Sequence, residues 1–467
     1  MKKRVAVIGG GISGLAAALS LAVQTTTGIT VFEQSERFGG KLKTEHIDGF
    51  VIEGGADAIM PIRERFRDVN NLLGLGGQVI YPNRNHRGSF ILHNGKLHPI
   101  PAGLSGMAPT RLMPILRTGL LSPLGKFRVL LELGLPKKTS AEEETLAAFA
   151  TRRFGLEAYN NLLEPLLAGL TSGDGEHTSL QATYPQWDTA ELESGSVIRG
   201  MIRQRRQRSN GTPIPGFFSY RDGLQTLANR IVDYLAKRDT TLLAQSTVTS
   251  LAVADGGYRL TVEHNGETRE EQFDGVVVAL PAPPAADLFA GVDAELGTIL
   301  REIPQRSAAV VSLGLRGSDV GDKLNGSGYL TPSSQGRIAS AMTWSSSKWP
   351  YRAPAGHALV RVYFGRGAGE AAMEYDDAEL VQAARQELHE IVGIDGEPVL
   401  SSITRWQHSM PQYTLGHMNR VAAIDSAVAQ YRGLAIAGNM LRGVGIARCV
   451  ITAENAAAKI RTDLTDI

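Results

Sequence analysis

The sequence predicts an α/β protein, and three observations carry that prediction: a strand, glycine turn, helix and strand at the N-terminus, β-rich stretches in the middle of the chain, and a Leu- and Arg-rich stretch of helical spacing between them. At 467 residues there is room for about three domains or one large two-lobed fold. With 43% hydrophobic residues the chain can bury several cores, while 48 Lys+Arg against 47 Asp+Glu leave a formal charge of +1. That balance argues against a general nucleic-acid or anionic-membrane binder. A single cysteine, Cys449, excludes an intrachain disulfide framework and a cysteine-rich metal site. Fifty-two glycines, about one residue in nine, mark places where backbone turns sharply or approaches a ligand.

Val5–Ile8 is a short β-branched run, read as a buried strand and not as a secretory signal. Gly9-Gly10-Gly11-Ile12-Ser13-Gly14 follows, then Leu15–Ala22, rich in helix formers. After Thr26-Thr27-Gly28 comes Ile29–Glu33, a second strand ending on an acid. The unit is βαβ, and such units make parallel sheets. The Gly9-x-Gly11-x-x-Gly14 spacing allows a tight turn, close approach of a pyrophosphate to backbone N–H groups, and close helix–strand packing. Glu33, 19 positions beyond Gly14, would accept from ribose hydroxyls, which favours FAD or NAD over NADP.

From Gly103 to Phe154, Leu112, Ile115, Leu116 and Leu120 recur at helical spacing between Pro109, Pro114 and Pro123, and a helical lobe is expected. Ser140-Ala141-Glu142-Glu143 reads as a capping box opening a helix through Leu146, Phe149 and Phe154. Thr247–Leu251, Tyr258–Val262 and Gly275–Leu280 read as strands, with turns at Asp255-Gly256-Gly257 and Asn265-Gly266. A helix over Asp376–Val392, a strand over Leu434–Ala437 and a final Ala-rich helix over Thr452–Thr462 complete the pattern. No stretch of 18 apolar residues free of charges and breakers predicts a transmembrane span.

Beyond Glu33-Gln34 lie Glu36-Arg37-Phe38-Gly39-Gly40-Lys41 and Glu53-Gly54-Gly55-Ala56-Asp57. With these the chain resembles the flavin amine oxidase and porphyrinogen oxidase superfamily, in which a second diglycine follows the ribose acid and an E-x-G segment closes over FAD. Gly438-Asn439 and Gly443-Val444-Gly445-Ile446, a glycine turn after a strand, match its C-terminal flavin segment. Within the superfamily the chain is most similar to the oxygen-dependent porphyrinogen oxidases, through Leu97–Pro101, Arg152–Gly155, Glu164–Gly169, Tyr220–Leu224, Arg405-Trp406 and Pro411-Gln412-Tyr413-x-x-Gly416-His417. The resemblance implies a Rossmann-like FAD domain with an inserted sheet-containing substrate domain and the helical lobe. It also implies non-covalent FAD and oxidation of a porphyrinogen by dioxygen with release of peroxide, in heme biosynthesis. Coproporphyrinogen III is the favoured substrate and protoporphyrinogen IX the alternative; an amine or carotenoid oxidase and a non-catalytic FAD protein rank lower.

By resemblance, cofactor contacts fall on Gly9 to Gly14, Glu33, Gln34, Gly40, Lys41, Gly54, Gly55, Ala56, Asp57, Val248 through its backbone, Trp406, Gly438, Val444, Gly445 and Ile446, and a weaker substrate contact on Gly169. Ala56 and Asp57 depart from residues common in the family. The expected division is an FAD domain of 1–84, 220–282 and 404–467, a substrate domain of 85–100, 185–219 and 283–403, and a helical lobe of 101–184 that could rest on a membrane. A cytoplasmic protein, with peripheral contact to the inner face of the membrane left open, is the expectation. His86, His93 and His98 match no metal template. Arg199, Arg203, Arg205, Arg206 and Arg208 read as a solvated helix end before substrate ligands. No general base is assigned, because a flavin would carry the redox chemistry and the protein would orient it.

Overall fold

The computed structural model describes residues 2–60, 65–85, 88–105, 108–140, 142–171, 173–208 and 216–465. Its N-terminal strand, Arg4–Ile8, is the centre of a five-stranded parallel sheet ordered Thr240–Leu243, Gly28–Phe32, Arg4–Ile8, Gly275–Val278, Leu434–Ile436. Parallel strands need long crossovers, and here the crossovers include whole lobes. The chain leaves the central strand to one side first and reaches its other neighbour some 240 residues later, so the strand order reverses at Arg4–Ile8 and leaves a switch point at its C-terminal end. Ligands bind at such a switch point.

Val5 and Val7 face one side of the sheet and Ala6 and Ile8 the other, as strand alternation requires, and each set seeds a core. The first is closed by the helices Ile12–Gln24, Gln225–Ala236 and Ile446–Thr465, through Leu15, Ala18, Leu227, Ile231, Val450 and Ala453. The second is closed by a three-stranded antiparallel sheet, Ser246–Phe273, and by the helices Ala282–Phe289, Ala294–Arg301 and His417–Ala429. The expected turns at Gly256 and at Asn265-Gly266 join the strands of that small sheet.

A seven-stranded sheet forms the second lobe, in the order Leu400–Pro411, Gln305–Arg316, His357–Phe364, Ala341–Thr343, Gly328–Leu330, Ser89–His93, Lys96–Pro99. Residue 404, the expected start of the last FAD-domain segment, falls inside the strand Leu400–Pro411, which pairs with Gln305–Arg316 along its whole length. The helices Pro185–Ser194 and Val197–Arg208, expected with the substrate domain, share the core of the helical lobe: Trp187 packs on Phe149, Phe154 and Tyr184. That core also buries the ion pair of Arg153 and Glu132, whose carboxylate accepts from Ser196 Oγ and the Val197 N–H.

The capping box at Ser140 does not form. The helix runs Leu146–Phe154 with Thr145 as its N-cap, accepting from the Ala148 N–H at 3.1 Å. The glutamate that completed the pattern is used elsewhere: Glu143 takes Ser179 Oγ and the Gly416 N–H, while its neighbour Glu144 pairs with Arg152. Asp376 does form a complete capping box with Glu379 and opens the helix Asp377–Val392. The final helix begins six residues earlier than expected, at Ile446, which puts the glycines of 443–445 at its N-terminus.

Candidate cofactor and active site

The helix Ile12–Gln24 starts at Gly11, whose hydrogen side chain leaves it without a side-chain cap. Among the described residues no side chain caps its first turn, and the positive end of the helix stands at the switch point. Gly14 is required by the fold itself: a Cβ there would lie 1.8 Å from the Gly9 carbonyl oxygen. Gly11 is different, because a Cβ there would meet nothing closer than Gly40 Cα at 4.0 Å. The space is cradle, open to a ligand. Gly445 is equally open, with nothing within 4 Å.

Glu33, 9% exposed, reaches back from the end of the second strand to accept from the Gly10 N–H at 2.8 Å, and its other oxygen takes the Ser35 N–H and Oγ. Gln34 beside it is exposed. The small sheet adjoins this corner, because the Ser246 N–H donates to the Glu33 carbonyl at 2.8 Å, and Val248 sits two residues on, at a bulge.

From Gly11 a continuous run of contacts leads to the seven-stranded sheet. Gly40 abuts Gly11, and the Lys41 carbonyl abuts Gly55, where a Cβ would come within 2.8 Å of it. Lys41 Nζ donates to the Ser409 carbonyl, and burial pulls this ammonium down to about 8. Trp406 Nε1 donates to the Gly54 carbonyl at 2.8 Å. Asp57 turns its carboxylate away into the protein, to Lys348 Nζ at 2.9 Å and Trp349 Nε1 at 3.1 Å. Burial alone would raise this carboxyl, but the charges of Lys348 and Arg361 hold it well below the usual range. On the other side, Gly9 packs against the Ala279 carbonyl and Gly438 near the Leu280 carbonyl. Cys449 is buried beside Ser13, and burial pushes its thiol up.

The Gly438–Gly445 turn is held from below by two residues for which the sequence suggested no role. Tyr413 Oη donates to the Asn439 carbonyl and accepts from the Gly443 N–H at 2.8 Å. His417 stacks on the Tyr413 ring, with centroids 3.9 Å apart, and bonds the Leu441 carbonyl through Nε2 at 2.8 Å. Burial pulls His417 down to about 4, so it is neutral near pH 7.

The two faces of the seven-stranded sheet differ. Val311, Leu313, Val360, Val362 and Met342 pack on the helix Asp377–Val392. Pairing places Arg361 beside Ser312 and Thr343, and Tyr363 beside Val310 and Ala341, on the opposite face. Trp406 shares that face, which Leu330 extends toward the helical lobe. There Gly169 packs against it, so closely that a Cβ on Gly169 would lie only 3.0 Å from a Leu330 methyl. Arg361 was missed from the sequence, although a lone cation inside the apolar strand His-Ala-Leu-Val-Arg-Val-Tyr-Phe was a usable signal.

His93 and His98 face each other edge to face across a hairpin, and His86 lies outside the described residues. The Arg199–Arg206 run is helical, with Arg205 donating to Thr110 Oγ1; the Arg208 side chain lies outside the described residues.

A parallel sheet with an uncapped helix at its switch point, an acid on the neighbouring strand and an inserted second sheet defines a dinucleotide-binding oxidoreductase architecture. The chain belongs to the flavin containing amine oxidoreductase family, which matches residues 12–461. It is 34% identical to the coproporphyrinogen III oxidase of Bacillus subtilis (strain 168), over 99% of each chain. It is 29% identical to that of Staphylococcus aureus (strain NCTC 8325 / PS 47), over 99% of this chain and 100% of the other. A solved structure from Exiguobacterium sp. 255-15, provisionally named a protoporphyrinogen oxidase, superposes with a TM-score of 0.86 at 31% identity, covering 100% of this chain and 99% of that one. The protein is a flavoprotein, its cofactor FAD.

Proposed function

We propose that the protein oxidises coproporphyrinogen III to coproporphyrin III in heme biosynthesis, with dioxygen as acceptor and hydrogen peroxide as product. Bound FAD supplies the chemistry, taking two electrons at a time from the substrate and returning them to dioxygen. Removal of six hydrogens then consumes three O2 and releases three H2O2. The full-length likeness to coproporphyrinogen III oxidases supports the substrate class. The observation that carries the site is the polar, half-buried sheet face of Thr343, Tyr363 and Trp406 set against the Gly54–Asp57 turn, with Gly169 at its edge.

In this reading the chain's own residues bind and orient. The N–H groups of Gly11 to Gly14 take the pyrophosphate, Glu33 takes ribose hydroxyls, and the Val248 backbone lies against adenine. Gly9, Gly10, Gln34, Gly40 and Lys41 complete that half. Gly54 to Asp57, Trp406, Gly438 and Val444 to Ile446 surround the remainder, and Gly169 lines the substrate side. The FAD domain is assembled from three separated segments, since strands spanning residues 4 to 436 share one sheet.

Among the described residues no helix is long and apolar enough to cross a membrane. Exposed Met113, Leu116, Leu124 and Phe127 beside Arg111 and Arg117 support peripheral contact through the helical lobe.

Protoporphyrinogen IX is the second reading, favoured by the name of the Exiguobacterium neighbour. Oxygen uptake, peroxide and porphyrin are measured together on the reconstituted protein. Three O2 consumed and three H2O2 formed per porphyrin are expected; porphyrin formed without peroxide overturns the dioxygen assignment.

A further inference from the structure

Five charged side chains pack together behind the Gly54–Asp57 turn: Glu53, Asp57, Lys348, Arg352 and Arg361. Two of the three cations have an anion of their own. Lys348 Nζ lies 2.9 Å from Asp57 Oδ2, and Arg352 Nη2 lies 3.7 Å from Glu53 Oε1. Arg352 is further occupied by the Arg221 and Tyr220 carbonyls and Ser219 Oγ.

Among the described residues Arg361 has no such partner. Its guanidinium donates through Nη2 to the Gly55 carbonyl and lies over the Tyr363 ring, 5.2 Å from the centroid, while Nε and Nη1 find no acceptor among the described residues. The residue is 1% exposed. Its charge reaches Asp57 and Glu53; exposed Asp222 also acts on Arg352, but among the buried groups described, three cations stand against two anions and one positive charge is unbalanced. Buried charge without a counter-charge is costly, and a native protein that keeps one has a use for it.

The backbone beside it points to that use. Trp406 takes the Gly54 carbonyl and Arg361 the Gly55 carbonyl. In a trans peptide the N–H points opposite to the C=O, so the Gly55 and Ala56 N–H groups are directed away from the sheet, where Ala56 is exposed. Arg361 thus fixes the direction of one of these donors and stands as a full charge behind it. A flavin ring that gains two electrons with one proton becomes an anion, the counter-charge the cluster lacks.

We propose that Arg361 is a positioning residue that tunes the flavin: by holding the Gly55–Ala56 peptide and supplying the unbalanced buried charge, it strengthens binding of reduced FAD relative to oxidised FAD. This rests on the reading that the Gly54–Asp57 turn lies against FAD, and it goes beyond that reading by assigning the electrostatics to one side chain outside the glycine motifs.

The test is the midpoint potential of bound FAD, by dye-equilibrated reduction, in wild type, Arg361→Met, Arg361→Lys and Asp57→Asn. Arg361→Met should weaken reduced relative to oxidised FAD at least tenfold, a drop of about 30 mV for a two-electron couple. Arg361→Lys should stay within threefold of wild type. Asp57→Asn removes an anion and should move the potential up, which keeps the proposal testable where Arg361→Met fails to retain FAD. An Arg361→Met holoprotein within threefold of wild type, or a downward shift in Asp57→Asn, overturns it. Wild-type apoprotein that takes up no FAD overturns the cofactor reading itself, a result seen before any variant is made.

Discussion

The parallel-sheet lobe and the seven-stranded sheet approach the same cleft with different means. The first presents backbone: glycines at 9, 11, 14 and 40, and N–H groups at a helix start. The second presents the side chains of Tyr363 and Trp406, with Arg361 buried behind the Gly54–Asp57 turn, from strands about 40 residues apart in sequence. A ligand held by backbone requires the absence of side chains at fixed spacing, while a reacting face requires particular side chains whose neighbours are fixed only by strand register. On the proposed reading, binding is concentrated in the first, and orientation and electrostatics in the second.

The sharpest break in this comparison comes within the glycine motif. Gly14→Val puts side-chain atoms into the Gly9 carbonyl, 1.8 Å from the Cβ position, and should cost both folding and flavin; soluble yield and apoprotein Tm report the first. Gly11→Val occupies open space at ordinary extended backbone, φ −69° and ψ 177°. The apoprotein Tm should be nearly unchanged while FAD content falls to background. A Gly11→Val protein that binds FAD normally would remove the pyrophosphate from the helix start.

A smaller effect separates support from contact. His417 is buried with its folded-state pKa lowered to about 4 from 6.5, so the folded state resists a proton that the unfolded chain accepts. Its contribution is fully present above about pH 6.5 and is lost as pH falls toward 4, up to ~3 kcal/mol at the acid limit. Chemical denaturation of apoprotein at pH 7 and pH 4.5 should show a loss that is reduced in His417→Phe; equal losses would remove His417 as the cause.

The smallest effects are expected from single hydrogen bonds. Trp406→Phe leaves the Gly54 carbonyl without its donor, and Tyr413→Phe frees the Gly443 N–H. Each should weaken FAD by about tenfold, from ~1–2 kcal/mol per lost bond, as read by titration of apoprotein with FAD. If Trp406→Phe costs nothing, Trp406 does not help position the turn.

The same contrast explains what could be read from sequence. The glycine spacing, Glu33 and the βαβ pattern announce the first lobe because their physics is local. The helix at Asp376 was legible for the same reason: its cap and its partner are three residues apart. Ser140 misled because Glu143 satisfies Ser179 and Gly416, contacts 36 and 273 residues away. Lys348 opposite Asp57, and Tyr413 beneath Gly443, are products of tertiary register with no local signature. Arg361 alone among them left a trace, as a charge in an apolar strand.

On the proposed function the protein oxidises a porphyrinogen and prefers the tetra-propionate substrate. Coproporphyrinogen III carries four propionates, and protoporphyrinogen IX two propionates and two vinyls. The direct measurement is kcat/KM for the two under the same oxygen and detergent conditions. Coproporphyrinogen III should be the better substrate; a preference for protoporphyrinogen IX of tenfold or more, about 1.4 kcal/mol in transition-state binding, would contradict the assignment.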